Sequence, residues 1–295
     1  MLMRLYIPTI NDGLADFDTL FGLLRQVNDY FLDVILDFTN CGFLRQNAVA
    51  FLGGMIRLVE SRFGEVKIDM TTIQDAIQTN LAQNGFLANF GYSGGPWTGN
   101  SIPYRQDTSK EVDDLTEYLS SQWLGRGWVN ISRPLRDSIV GRMWEIFENA
   151  FEHAYSEEKE NIGIFCCGQH YPHLHTLKLT VIDYGVGIPS NVRLFRKNDL
   201  IASDVALRWA FQRGTTTKPN GMGRGLGLDM LKEFVRINQG QLEIFSHDAY
   251  GKIDQNEESY LQRSTFFEGT IVNITLRCDE SYYRLASERT EQPLF

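Results

Sequence analysis

No run of apolar residues in this chain approaches the 18 or so that a membrane helix requires, so a membrane-spanning protein is not expected. Cysteine is scarce: Cys41, Cys166, Cys167 and Cys278 are the four present, and two of them are adjacent and poorly placed to pair with each other. That usage fits a reducing compartment, not a disulfide scaffold. The opening residues, MLMRLYIPTINDG, lack the apolar core and small-residue cleavage site of a secretory signal, so the expected location is the cytoplasm. Positive charge is also in deficit. Lys and Arg number 28 against 37 Asp and Glu, a formal charge of −9, which argues against non-specific binding to nucleic acid while leaving room for a local basic patch.

Several nucleotide signatures are missing as well. A dinucleotide GxGxxG needs glycine at Ser190 after Gly185, or at Leu228 after Gly223. The only Gly-Lys pair, Gly251-Lys252, is followed by isoleucine, which excludes a P-loop. Catalytic-loop and DFG motifs of protein kinases are absent, and there is no internal repeat.

What is present is a globular composition, 43% apolar and 22% charged, over 295 residues, enough for about two domains. Residues 1–90 alternate strand and helix patterns. Leu5–Ile7, Val34–Phe38 and Val66–Met70 read as strands. Phe17, Leu20, Phe21, Leu24 and Val27 share one helix face, and a buried-looking helix spans about Asn47–Arg62. Thr71-x-x-Gln74 has capping-box spacing for a third helix carrying Ile73, Ile77 and Leu81. The order implies an α/β domain. Residues 91–131 read as a linker: Gly91–Lys110 is rich in Gly, Ser, Thr and Pro, and a bridging helix follows near Glu111–Leu124. Beyond it, Ser132 and Pro134 open a long helix to about Tyr155. Strands follow near Ile162–Cys167, Leu177–Asp183, Gln241–Ser246 and Thr270–Leu276, with helices near Ser203–Gln212 and Leu228–Asn238.

Four segments of this second half carry chemistry. On the long helix, Glu145, Asn149 and His153 are successive i, i+4 neighbours, which fits a solvated face or a site in which a carboxylate activates water and an amide oxygen ligates Mg²⁺. Asp183-Tyr-Gly185-Val-Gly187 ends a strand with a carboxylate and two glycines, as a tight turn does or as a loop closing on a ligand does. Gly214 to Leu228 holds five glycines, with Lys218 and Arg224, immediately before a helix. Such a segment can present backbone N–H groups to phosphate. Gly269-Thr270 heads a late strand. Cys166, Cys167, His170, His173 and His175 lack zinc-module spacing, and adjacent cysteines on a strand face opposite ways, so they read as a hairpin with a polar tip.

Taken in order, these segments resemble the GHKL ATPase superfamily, which groups gyrase-type topoisomerases, a heat-shock chaperone class, histidine kinases and MutL repair proteins. Glu145-x-x-x-Asn149-Ala resembles its N box, Asp183-x-Gly185-x-Gly187 its G1 box, and Gly223-Arg-Gly225-Leu-Gly227-Leu its G2 box. Gly269-Thr270 resembles a final short box, and the likeness covers roughly residues 132–278. It is nearest to histidine-kinase and anti-sigma-factor kinase domains. The resemblance implies an α/β sandwich, with helices on one face of a mixed sheet, that binds ATP with Mg²⁺. By position it implies Asn149 as the Mg²⁺ ligand, Glu145 as general base, and Asp183 reading the adenine amino group. Gly187 would lie beside the base and Thr270 would support Asp183 through water, with Gly185 also among the cofactor-binding residues. Gly223, Arg224, Gly225, Leu226 and Gly227 would form the phosphate lid, with Lys218 beside them.

Residues 1–90 more faintly resemble a STAS domain, although Leu44-Arg45-Gln46-Asn47-Ala48 stands where many such domains carry a phosphorylatable serine. No histidine precedes His153, so the dimerisation unit of a sensor kinase is not expected. The expected function is an ATP-hydrolysing switch acting on its own N-terminal domain or on a protein partner. The alternative is a Ser/Thr protein kinase of the anti-sigma type with a separate phosphoacceptor. A non-catalytic nucleotide-binding module ranks third, because the Glu145–Asn149 pair is intact. A homodimer is compatible with this reading, and residues 279–295 read as a tail.

Overall fold

The computed structural model describes residues 1–93, 99–153, 162–212, 214–215 and 227–289. Three parallel strands, β1 (Leu2–Tyr6), β2 (Asp33–Asp37) and β3 (Val66–Ile68), form a sheet in that order. They are connected by α1 (Leu14–Gln26) and α2 (Gln46–Ser61), followed by α3 (Asp75–Gln83) and α4 (Phe86–Asn89). Sequential right-handed crossovers put α1 and α2 on one face of this sheet. Accordingly Leu5, Leu36 and Ile68, level with one another across the strands, are buried in one core with Phe17, Phe21 and Phe51. The other face exposes Leu2, Arg4 and Tyr6.

The second sheet has the order β4-β5-β6-β8-β7. Its strands are β4 (Ser101–Asp107), β5 (Ile164–Tyr171), β6 (Thr176–Asp183), β7 (Gln241–Asp254) and β8 (Glu258–Arg277). Every neighbouring pair is antiparallel, where the resemblance implies a mixed sheet. Between β4 and β5 come α5 (Val112–Glu117) and the long α6 (Arg133–His153). Between β6 and β7 come α7 (Gly187–Arg196), α8 (Ser203–Ala210) and α9 (Gly227–Ile237). Ser132 starts α6 by accepting a hydrogen bond from Leu135 N at 3.3 Å and donating one to Glu288 at 2.7 Å. Thus residues read as tail return to the head of the long helix. Within the stretch read as a linker, β4 is an edge strand of this sheet, paired with β5.

Both faces of the second sheet are buried, and alternate residues along each strand divide between them. Val181, Ile244 and Val272 face α6 and α9, in a core with Met143, Phe147, Leu231 and Val235. Their neighbours Ile182, Phe245 and Ile271 face α1 and α2. There Phe17 stacks on Phe245 with ring centroids 4.1 Å apart, and Phe21 on Phe267 at 5.2 Å. Helices α1 and α2 therefore lie between two sheets and share a core with each, so helices cover the second face of the ATPase-like sheet too.

Candidate functional site

The carboxylate of Asp183 closes β6 and is buried, directly across from Thr270 on β8. One of its oxygens accepts a hydrogen bond from Gly185 N at 2.9 Å, which folds the chain over the strand end. Gly187 then adopts a φ of +76°, a conformation that favours glycine. A Cβ there would lie 2.4 Å from the Glu268 carbonyl oxygen and 2.8 Å from the His247 ring. A Cβ on Gly269 would lie 1.9 Å from the Asp183 carbonyl oxygen, so β8 approaches the loop this closely only without a side chain at that position.

Two residues of β7 secure the loop from below. Ser246 Oγ accepts from Ile188 N and donates to Gly269 O, both at 2.9 Å, and lies 3.4 Å from Thr270 Oγ1. His247 Nε2 donates to Val186 O at 2.8 Å, which fixes the neutral ring with its proton on Nε2. Burial pushes this imidazole below its usual pKa, with Arg193 acting in the same direction. The Val186 hydrogen bond and the charges of Glu268 and Asp248 oppose the shift.

Helix α6 packs against α9 and meets α7, the helix that Gly187 opens. Glu145 is half-buried on its flank and accepts from Arg142 at 2.8 Å, while Asn149, one turn on, is exposed. The neighbouring Glu148 pairs with Lys110 at 2.7 Å. Asp183, Gly185, Gly187 and Thr270 are thus brought together at one strand end, with Glu145 and Asn149 on a helix in contact with α7. Of the residues expected to form a lid, Lys218, Gly223, Arg224, Gly225 and Leu226 lie outside the described residues, and Gly227 is the first residue of α9.

The described segments before and after residues 216–226 are joined. Lys232 Nζ on α9 donates to Phe211 O, just after α8, at 3.1 Å and to Glu258 on β8 at 2.6 Å. Burial works against the Glu258 charge, but hydrogen bonds from Lys232, Tyr260 and Arg236 outweigh it and hold the carboxyl below its usual range. The Cys166 and Cys167 side chains go to opposite faces of β5, and burial raises the Cys166 thiol to about 12. His170 instead stacks on Trp128, ring centroids 4.8 Å apart.

Sequence reasoning missed Ser246, His247 and Tyr184, the residue between Asp183 and Gly185. The two β7 residues carry no local signal, because they act on a loop 58 and 61 residues away. Tyr184 sits inside the motif, but its partners are distant in sequence, among them the Phe51 carbonyl and the rings of Phe165 and Phe267.

Residues 137–280 match the family described as histidine kinase-, DNA gyrase B-, and HSP90-like ATPase, and this segment is a GHKL-type ATPase domain. No curated protein matches the chain. No helix among the described residues is long and apolar enough to cross a membrane.

Proposed function

With a GHKL-type ATPase domain as its second half, a class that binds ATP, we propose that this protein binds ATP with Mg²⁺ at the Asp183 loop and hydrolyses it as a switch. The responding element is its own N-terminal unit or a protein partner. The observation that carries the reading is the convergence of Asp183, Gly185, Gly187 and Thr270 on one strand end, braced by Ser246 and His247.

The donor set fits the ligand. A buried carboxylate at a strand end accepts a hydrogen bond from an exocyclic amine, and the lack of a side chain at Gly187 lets the loop that carries it lie directly against Glu268 and His247. The exposed Asn149 amide is a hard oxygen donor suited to Mg²⁺, which when bound neutralises phosphate charge. Glu145, oriented by Arg142, takes the proton of the attacking water or hydroxyl. Gly223, Gly225 and Gly227 serve as the lid, with Arg224 and Lys218 as its cations.

Residues 1–90 are the docking or regulatory unit, STAS-like in their alternation of strands and helices. Phosphorylation at the head of α2 is not part of this proposal. Gln46 is buried there, donating to Thr180 at 3.3 Å and accepting from Tyr171 at 2.8 Å. Incubation with γ-labelled ATP tests the acceptor. Label released as phosphate supports the switch, whereas label retained on a protein side chain replaces it with the protein-kinase reading.

A further inference from the structure

The loop that begins at Asp183 is held from the side opposite α6. Tyr184 is buried on the face of the sheet covered by the N-terminal unit, and its hydroxyl donates to the Phe51 carbonyl of α2 at 2.5 Å. Its ring lies against Phe51 at 5.6 Å between centroids and edge-on to Phe165 and Phe267 at 5.9 and 5.4 Å. Phe267 also stacks on Phe21 of α1, two residues before Gly269. One aromatic cluster therefore backs both chain segments of the site, the one leaving β6 and the one leading to Thr270.

Helix α2 comes this close to the second sheet because it lacks two side chains. A Cβ at Gly54 would fall 2.0 Å from the Tyr184 ring, and one at Gly53 would fall 2.2 Å from the Tyr104 hydroxyl. Glycine is a poor helix former, so consecutive glycines within a helix trade local stability for close approach. Here the approach is to the residue flanked by Asp183 and Gly185.

We propose that α2 is a structural part of the nucleotide site, with Tyr184 as the positioning residue that transmits its placement to Asp183 and Gly187. The proposal rests on the reading of the Asp183 loop as the ATP site. Tyr184 touches no nucleotide in this scheme; it fixes the loop that does. Because coupling between sites is reciprocal, ATP in turn stabilises the seat of α2 on the sheet. A partner that shifts α2 changes ATP affinity without any hinged movement of one domain against the other.

The experiment uses the full chain and three variants, all checked for folding by circular dichroism. Tyr184→Phe keeps the ring and removes the hydrogen bond to α2. Gly54→Ala pushes on the same ring from the helix. Tyr171→Phe is the control: it removes the bond to Gln46 elsewhere in the same interface, away from the loop. Dissociation constants for ATP and GTP with Mg²⁺ are measured by calorimetry, together with KM and kcat for ATP turnover.

Tyr184→Phe is expected to weaken ATP binding about threefold to tenfold, the scale of one net hydrogen bond. KM rises with it, kcat at saturating ATP changes little, and the preference for ATP over GTP narrows. Tyr171→Phe is expected to lower thermal stability while leaving ATP affinity and base preference at wild-type values. Folded Tyr184→Phe with wild-type ATP affinity overturns the proposal whatever Gly54→Ala does. Equal weakening in the Tyr171 and Tyr184 variants also overturns it, because general loosening of the interface then explains the effect. If the wild-type chain takes up no ATP, the underlying reading of the site has failed instead.

Discussion

Gly187 and Gly269 are where single atoms decide the shape of the loop around Asp183. A methyl at either collides with fixed backbone, and at Gly187 the positive φ adds strain. This part of the site was legible in the sequence, because an aspartate ending a strand and glycines at fixed spacing form a local pattern. The braces beneath it were not, since Ser246 and His247 are ordinary strand letters until the sheet brings them under the loop. The His247 brace has a consequence in pH. Its native pKa lies below the unfolded value, so below about pH 6.5 the unfolded chain binds the additional proton. Its stabilising contribution is complete above that pH and is lost as pH falls further; burial shifts His170 in the same direction. Thermal melts should therefore show stability falling from about pH 7 to pH 5, with a shallower fall in His247→Gln. On catalysis, Glu145→Ala is expected to retain ATP binding and lose about 10²–10⁴-fold in turnover. Unchanged turnover in the folded variant would remove Glu145 from the mechanism.

Among the elements, those with strong periodicity lie close to their sequence reading. The strand read at Val34–Phe38 is β2 at Asp33–Asp37, and the helix read at Asn47–Arg62 is α2 at Gln46–Ser61. Three others were obscured for physical reasons. Strand β4 contains Pro103, which an edge strand tolerates because one side of its backbone needs no partner, and its pairing register shifts beside that residue. The β7–β8 hairpin runs well past the apolar stretches Gln241–Ser246 and Thr270–Leu276, because register shifts around His247 break the period of two. The Thr71-x-x-Gln74 box is instead a short 3₁₀ turn, Met70–Thr72, capped by Asp69, with α3 starting at Asp75. The hairpin's outer part also joins the stems of the segment proposed as a lid, since Glu258 receives Lys232 while Lys232 holds Phe211 O. Lys232→Met should cost about 1.5–3 kcal/mol in urea denaturation, the range for hydrogen bonds to a charged group, and raise KM for ATP. Wild-type values for both would show that this link does not hold the stems.

The whole molecule is layered: parallel sheet, α1 and α2, antiparallel sheet, then α6 and α9. The composition of residues 91–110 suggested two bodies joined by a linker, but the matching aromatic faces that unite them are long-range features with no local signature. Phe17, Phe21 and Phe51 meet Phe245, Phe267 and Tyr184 in one core, and Arg263 reaches Asp18 at 2.6 Å. Full-length protein should therefore unfold in a single calorimetric transition. A chain beginning near Lys110 would expose Phe165, Ile182, Phe245, Phe267 and Ile271 and is expected to aggregate. Two separated transitions, with a soluble, active fragment, would indicate independent bodies. The most direct measurement is a calorimetric titration of full-length protein with ATP and Mg²⁺, repeated on folded Asp183→Asn. Saturable binding by the wild type, about 10- to 100-fold weaker in the variant, is the expected result for loss of a charged hydrogen-bond acceptor. Equal affinity in the two proteins, or no binding by the wild type, would contradict an adenine nucleotide held at Asp183.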